Sequence, residues 1–324
     1  MIQKHIIIVA GEPNSVFLEI FFKSFKLRKI NNFKKPIILI VSKKLLTQQM
    51  KKLGFNFKIN QINRKFTELN NINNNCINII DVNFKFKKTF DKITDKSNHY
   101  IEQCFKIGIS LMKKKTSYAL INGPISKKNF LKEKFLGITE YLAKNTNREN
   151  KVAMLIHNSE ISVSPITTHL PLKLVSKNLS KKRIIDHIIL IRKFFKKRFN
   201  KNPKIAITGL NPHCESNYKT SEEEKSIRPA IKFLTRKKYN IFGPFAADTI
   251  FMKDNFIKYD VIVGMYHDQV LAPMKAIYGF NAINITLGLP FIRISPDHGP
   301  NIKMLGKNLS NPRSLIEALK FLNK

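Results

Sequence analysis

A short apolar, β-branched run closed by Gly, Pro or Asn recurs along this chain, at 6–10, 36–41, 118–121, 204–208, 260–264 and 282–287. Runs of this length and composition read as buried strands. Helical periodicity lies between several of them. The clearest case covers about 182–198, where Ile184, Ile185, Ile188, Ile191, Phe194 and Phe195 recur at the spacing of one helix face. A second closes the sequence over 314–322, with Ser314 as its expected N-cap. Residues 60–98, rich in Asn and Lys, read as surface connections carrying one or two strands. Strand, loop and helix in alternation predict α/β layers around a mainly parallel sheet. In such sheets ligands bind beyond the carboxyl ends of the strands, so the chemistry belongs in the loops that follow the runs.

The bulk charge first suggests something else. With 58 Lys and Arg against 22 Asp and Glu, the formal net charge is +36, and an excess of this size invites nucleic acid as a partner. The cations, however, are mostly Lys, scattered along the whole length among Asn, Ile and Phe. Clusters such as Lys113-Lys114-Lys115 and Lys196-Lys197-Arg198 fall at the ends of helical stretches, where cations suit the helix dipole. No aromatic-basic RNA platform occurs. The charge is therefore read as a solvated surface, with no specific nucleic acid as partner. Cys76, Cys104 and Cys214 match no CxxC pattern and fit a reducing compartment. The apolar run at 6–10 is too short for a signal segment, and no stretch is long enough to span a bilayer. A cytoplasmic protein with no membrane partner is expected.

Four segments carry chemistry: Thr167-Thr168-His169-Leu170-Pro171-Leu172; Gly209-Leu210-Asn211-Pro212-His213; Gly264-Met265-Tyr266-His267-Asp268-Gln269 with Lys275 beyond it; and 284–293, NITLGLPFIR, leading into Asp297-His298-Gly299. His169, His213 and His267 each follow a strand-like run. Three neutral imidazoles with an open fourth position make a catalytic divalent-metal site, able to polarise a hydroxyl or carbonyl oxygen. Taken singly, each is more readily a hydrogen-bonded loop residue than a ligand. Asp248 and Asp268 are candidates for orienting those rings, or else ordinary helix caps. Lys275 and Arg293 are cations inside apolar loops, suited to an anionic substrate. No GxGxxG occurs, so a dinucleotide would need another loop.

Together these segments resemble the 4-hydroxythreonine-4-phosphate dehydrogenase family of vitamin B6 biosynthesis. Gly11-Glu12-Pro13, Asn122-Gly123-Pro124-Ile125-Ser126-Lys127, Gly137-Ile138-Thr139-Glu140 and 243–249, GPFAADT, extend the likeness nearly end to end. The resemblance implies a fold like that of isocitrate and isopropylmalate dehydrogenases, two α/β/α domains around a cleft. The first domain is expected over 1–120, completed by 270–324, and the second over 121–269. It further implies a homodimer with active sites at the subunit interface. His169 and His213 of one chain and His267 of the other would bind one divalent ion (Zn, Mg or Co). Thr139, Lys275, Asn284 and Arg293 would bind a small phosphorylated substrate. Asp297, His298, Gly299 and Asn301 would form the NAD or NADP loop. The implied reaction oxidises 4-phosphooxy-L-threonine and decarboxylates the product to 3-amino-2-oxopropyl phosphate; no residue is singled out as the catalytic base. Relatives acting on threonate or erythronate 4-phosphate, or on cis-dihydrodiols, remain alternatives. Two departures bear on substrate detail. Ile138 stands where the family often has His, and Gly11-Glu12-Pro13-Asn14-Ser15-Val16-Phe17 lacks two glycines of the family's opening loop.

Overall fold

The computed structural model describes residues 4–28, 33–63, 72, 75–115, 117–132, 134–214, 218–279, 281–296 and 298–323. The chain divides into two compact units, Met1–Thr146 with Pro290–Lys324, and Asn147–Leu289. The boundaries expected from the sequence, 120/121 and 269/270, fall inside structural elements. The first cuts a strand, Ser117–Asn122, and the second cuts a helix, His267–Tyr278.

The first unit contains strands β1 (His5–Val9), β2 (Ile37–Val41), β3 (Ile59–Gln61), β4 (Ile77–Asp81), β5 (Ser117–Asn122) and β12 (Ile292–Pro296). Their order is β3-β4-β2-β1-β5-β12, and every neighbouring pair is parallel. Helices α1 (Phe17–Lys26), α2 (Lys43–Lys52), α3 (Asn98–Lys113), α4 (Ile138–Asn145) and α10 (Arg313–Asn323) complete it. β1 and β2 are buried at every position, as expected of parallel strands covered on both faces. The Asn-rich stretch does supply two strands, β3 and β4. Ser314 is not the cap of α10. It lies buried inside a helix that begins one residue earlier, with the carbonyl of Pro312 accepting from Ile316 N. Gly11 turns the chain after β1 at φ 77°, where an added Cβ would lie 2.4 Å from the carbonyl oxygen of Pro124. This close approach lets Glu12 N donate to that same oxygen at 2.8 Å and joins the loops after β1 and β5.

The second unit contains β6 (Ala153–His157), β7 (Ser162–Pro165), β8 (Ile205–Thr208), β9 (Ile241–Phe245), β10 (Val261–Gly264) and β11 (Ile283–Leu287). Its strand order is β11-β6-β7-β10-β8-β9. The first three pair antiparallel and the rest parallel. Its helices are α5 (Lys181–Phe199), α6 (Arg228–Arg236), α7 (Ala247–Ile250), α8 (Lys253–Phe256) and α9 (His267–Tyr278). α5 falls where periodicity placed it, capped by Ser180 and burying Ile184, Ile188, Ile191 and Phe195. No described helix is long and apolar enough to cross a membrane.

α5 also buries His187, whose Nε2 lies 2.6 Å from Ser164 Oγ on β7. Because that hydroxyl donates to the carbonyl of Met154, the imidazole is left to donate. Burial, with Arg183 adding to it, pushes the His187 pKa down to about 3. An unfolded chain binds a proton there near pH 6.5, so between about pH 3 and 6.5 the unfolded state holds the extra proton. Stability therefore rises with pH across that window and is fully present above it, at ~1.4 kcal/mol per pH unit. Thermal unfolding of His187→Gln should depend less on pH between 6.5 and 4.5 than that of the wild type. Equal slopes would remove His187 as the cause.

Candidate active site

The parallel pairing in the second unit brings the histidine loops together. β7 and β10 run side by side to their carboxyl ends, with Pro165 opposite Gly264, and β8 flanks β10 on the other side. The ladder continues past the strands, Ile166 N donating to Gly264 O at 2.8 Å. Thr167, fully buried, then donates to the carbonyl of Met265 through both its backbone N, at 3.2 Å, and its Oγ1, at 2.7 Å. Two residues further along each loop stand His169 and His267, their ring centroids 5.7 Å apart. Asp268 Oδ1 lies 2.6 Å from His267 Nδ1. Of the two acids considered for orienting a ring, Asp268 lies against one, whereas Asp248 is exposed in the first turn of α7.

The third loop is held by a carboxylate. Glu223, only 1% exposed, accepts from Leu210 N at 2.8 Å, Asn211 N at 2.9 Å and Asn211 Nδ2 at 2.7 Å. Burial alone would raise its pKa, but the hydrogen bonds from Asn211 and Leu210 prevail and the net shift is downward. His213 follows, exposed and left-handed at φ 59°, a conformation unusual for a non-glycine residue. Buried Gln269, on the first turn of α9, ties this loop to the His267 loop. Its Nε2 donates to Gly209 O at 2.8 Å, and its Oε1 accepts from Met265 N at 2.7 Å and Thr208 Oγ1 at 2.9 Å. Sequence reasoning gave neither Glu223 nor Gln269 a role.

Two imidazoles on one tetrahedral ion, with bonds of about 2.1 Å, hold their ring centres roughly 5 Å apart. The 5.7 Å between the His169 and His267 centroids is slightly wider than that spacing. With Nδ1 of His267 engaged by Asp268, Nε2 is the nitrogen left to coordinate, the usual pattern for a ligating histidine. His213 joins no such group: among the described residues, no three His, Cys, Asp or Glu side chains are arranged to hold a metal ion.

The expected substrate residues fall two on each unit. In the first, Arg293 on β12 is 0% exposed. It donates from Nε to Asn122 Oδ1 at 2.7 Å and from Nη1 to Thr139 Oγ1 at 3.4 Å. Burial lowers its pKa to about 9, against the opposing charge of Glu140. Thr139 and Ile138 form the first turn of α4, whose amide N–H groups add a positive potential. In the second unit, Lys275 is exposed on α9, about 12 Å along the helix from His267 at the standard rise. Asn284 is half-buried on β11, and its Oδ1 has no hydrogen-bond partner among the described residues.

Of the expected dinucleotide loop, Asp297 lies outside the described residues. His298 stacks on Phe17 with centroids 6.1 Å apart and planes at 25°. Pro300 O accepts from Val16 N at 3.1 Å, so the loop itself covers the start of α1. Gly299 and Asn301 are exposed.

The likeness to known proteins is consistent along the chain. A 4-hydroxythreonine-4-phosphate dehydrogenase from Sulfurihydrogenibium sp. is 36% identical over 316 residues, 96% of this chain and 95% of that protein. A protein from Oceanobacillus iheyensis, provisionally named D-threonate 4-phosphate dehydrogenase, is 31% identical over 325 residues, 98% of this chain and 97% of its own. The crystal structure of 4-hydroxythreonine-4-phosphate dehydrogenase from Klebsiella pneumoniae superposes with a TM-score of 0.84 at 25% identity, covering 98% of each chain. The family model for pyridoxal phosphate biosynthetic protein PdxA matches residues 32–322. The chain belongs to the PdxA family of pyridoxal phosphate biosynthetic proteins.

Proposed function

We propose that this chain is a divalent-metal-dependent dehydrogenase that oxidises 4-phosphooxy-L-threonine with NAD(P) and releases carbon dioxide, leaving 3-amino-2-oxopropyl phosphate. The observation that carries the reading is the His169–His267 pair, 5.7 Å between centroids with Asp268 on His267 Nδ1. Its neighbourhood of strand ends and the family of its relatives support it.

Arg293, Thr139 and the N-terminus of α4 would hold the phosphate. A buried guanidinium whose pKa burial lowers is stabilised by an incoming dianion. Asn284 Oδ1 suits a donor on the substrate, such as its ammonium, and Lys275 would add a point charge. His169 and His267 of one chain would hold the ion, with His213 reaching it from a second copy in a homodimer. What supports this division is the pairing of the first two within one chain and the exposed, left-handed setting of His213. A bound divalent ion would supply Lewis acidity at the reacting oxygen, and NAD(P) would accept the hydride. His298, backed by Phe17, offers a flat surface for a heteroaromatic ring of that cofactor, with Gly299 and Asn301 beside it. The reaction takes a hydride from the carbinol carbon and a proton from its hydroxyl. The bond to the carboxyl carbon of the resulting β-keto acid then breaks, and the carbon left behind is protonated. Mass spectrometry of substrate, NAD and protein should detect 3-amino-2-oxopropyl phosphate; intact substrate after prolonged incubation with metal would contradict the proposal.

A second reading, a D-threonate 4-phosphate dehydrogenase, is favoured by the Oceanobacillus relative, and Ile138, where the family often has His, bears on the choice. One neutral hydrogen bond is worth roughly 0.5–1.5 kcal/mol, so the missing His should cost about tenfold at most. Ile138→His should therefore raise kcat/KM on 4-phosphooxy-L-threonine modestly without changing the preference over D-threonate 4-phosphate. A reversal of preference would make threonate phosphate the natural substrate.

A further inference from the structure

We infer that Gln269 is a positioning residue that sets the mutual geometry of all three histidine loops; as it bears on metal binding, this rests on the proposed function. Its carboxamide meets the loops at their roots. Nε2 holds the carbonyl of Gly209, where the His213 loop leaves β8. Oε1 holds the N–H of Met265, where the His267 loop leaves β10. The carbonyl of that same Met265 receives both hydrogen bonds from Thr167, which anchor the His169 loop. One side chain thus links the root of the His213 loop to the root of the His267 loop, and reaches the His169 loop through the Met265 peptide. Thr208 Oγ1 fills the remaining acceptor position of Oε1.

The backbone around Gln269 leaves room for it. A Cβ at Gly264 would lie 3.0 Å from Gln269 Oε1 and 2.4 Å from Val270 Cγ1. A side chain there would push the amide off its partners. The amide is also chemically specific. Gly209 O requires a donor and Met265 N requires an acceptor, and no other neutral side chain of this length offers both. An apolar isostere leaves a buried carbonyl and a buried N–H unpaired, whereas a carboxylate keeps the acceptor and loses the donor.

The two substitutions therefore have different signatures. In the full-length, metal-free protein, hydrogen–deuterium exchange of Gln269→Leu should accelerate about tenfold in 166–170, 209–214 and 265–268 together. Gln269→Glu should loosen 209–214 while sparing 265–268. Thr208→Val removes a bond that anchors no histidine loop and should leave all three segments near wild type. In a Co2+ titration followed by visible absorption, Gln269→Leu should bind 10- to 100-fold more weakly, as losing a partner of a metal ligand does, and excess Co2+ should restore kcat. A merely structural glutamine would lower the melting temperature without changing Co2+ affinity. Wild-type exchange in 209–214 and 265–268 of Gln269→Leu would overturn the inference. So would Co2+ affinity within twofold of wild type in a folded Gln269→Leu or Gln269→Glu. If the wild type itself binds no Co2+, the metal reading fails, and the exchange pattern alone decides the role of Gln269.

Discussion

Mixing inactive His169→Ala and His213→Ala dimers regenerates activity after subunit exchange, whereas mixing His169→Ala with His267→Ala does not. This follows if, as proposed, His169 and His267 act within one chain while His213 reaches across from a second copy. In the first heterodimer one site lacks two ligands and the other keeps all three. Random exchange makes about half the dimers mixed, each with one complete site, so recovery approaches roughly a quarter of wild-type activity. In the second mixture every site lacks one ligand. Each single variant should be inactive beforehand, because a three-ligand site rarely tolerates a loss. If His169→Ala and His267→Ala complement each other instead, His267 belongs to the partner's site. That is the division first implied by family resemblance, and the 5.7 Å pairing of the two rings would then not be the metal-binding geometry.

Arg293→Lys lowers kcat/KM by roughly 30- to 5,000-fold, the effect of about 2–5 kcal/mol lost from a desolvated charge contact. The guanidinium is fully buried and divides its donors between Asn122 Oδ1 and Thr139 Oγ1. An ammonium cannot span both acceptors and still present a fork to phosphate. The loss should fall on the phosphorylated substrate and leave the affinity for Co2+ unchanged, since Arg293 is not among the residues proposed to hold the ion. Steady-state kinetics with each reactant varied separately checks this. A change within threefold would make Arg293 a structural residue of β12.

What was legible in the sequence follows from where the physics is local. Strands buried in the sheet announce themselves as short apolar, β-branched runs, so β1, β2, β5, β8, β10 and β11 stood out. The helix over 181–199 announced itself by period. β7, Ser162–Pro165, is short and half serine, and it owes its strand state to β10 and β6 beside it. The antiparallel pairing of β11 with β6 is invisible to periodicity, because an apolar run carries no direction. Placing the histidines at strand ends was possible because ligand loops in α/β sheets sit there. Glu223 and Gln269 were missed for a different reason. They act on partners 12 and 60 residues away, and a lone Glu or Gln in a first helical turn has no local signature. Gln269 stood inside the His267 segment, so its nearness to that histidine was the one signal available. The domain boundaries were placed at 120/121 and 269/270. Strand pairing, which a linear reading does not contain, keeps β5 whole in the first unit and β11 in the second.

Metal-dependent oxidation of a phosphorylated hydroxy acid is the activity proposed for this chain. Its most direct test is NAD(P)H formation followed at 340 nm with 4-phosphooxy-L-threonine, using protein stripped by chelator and then resupplied with Zn2+, Mg2+ or Co2+. No turnover is expected in the stripped protein, and recovery with at least one of the three ions, with one carbon dioxide released per NAD(P)H. Full turnover in the stripped protein, or none under any of these conditions, would contradict it.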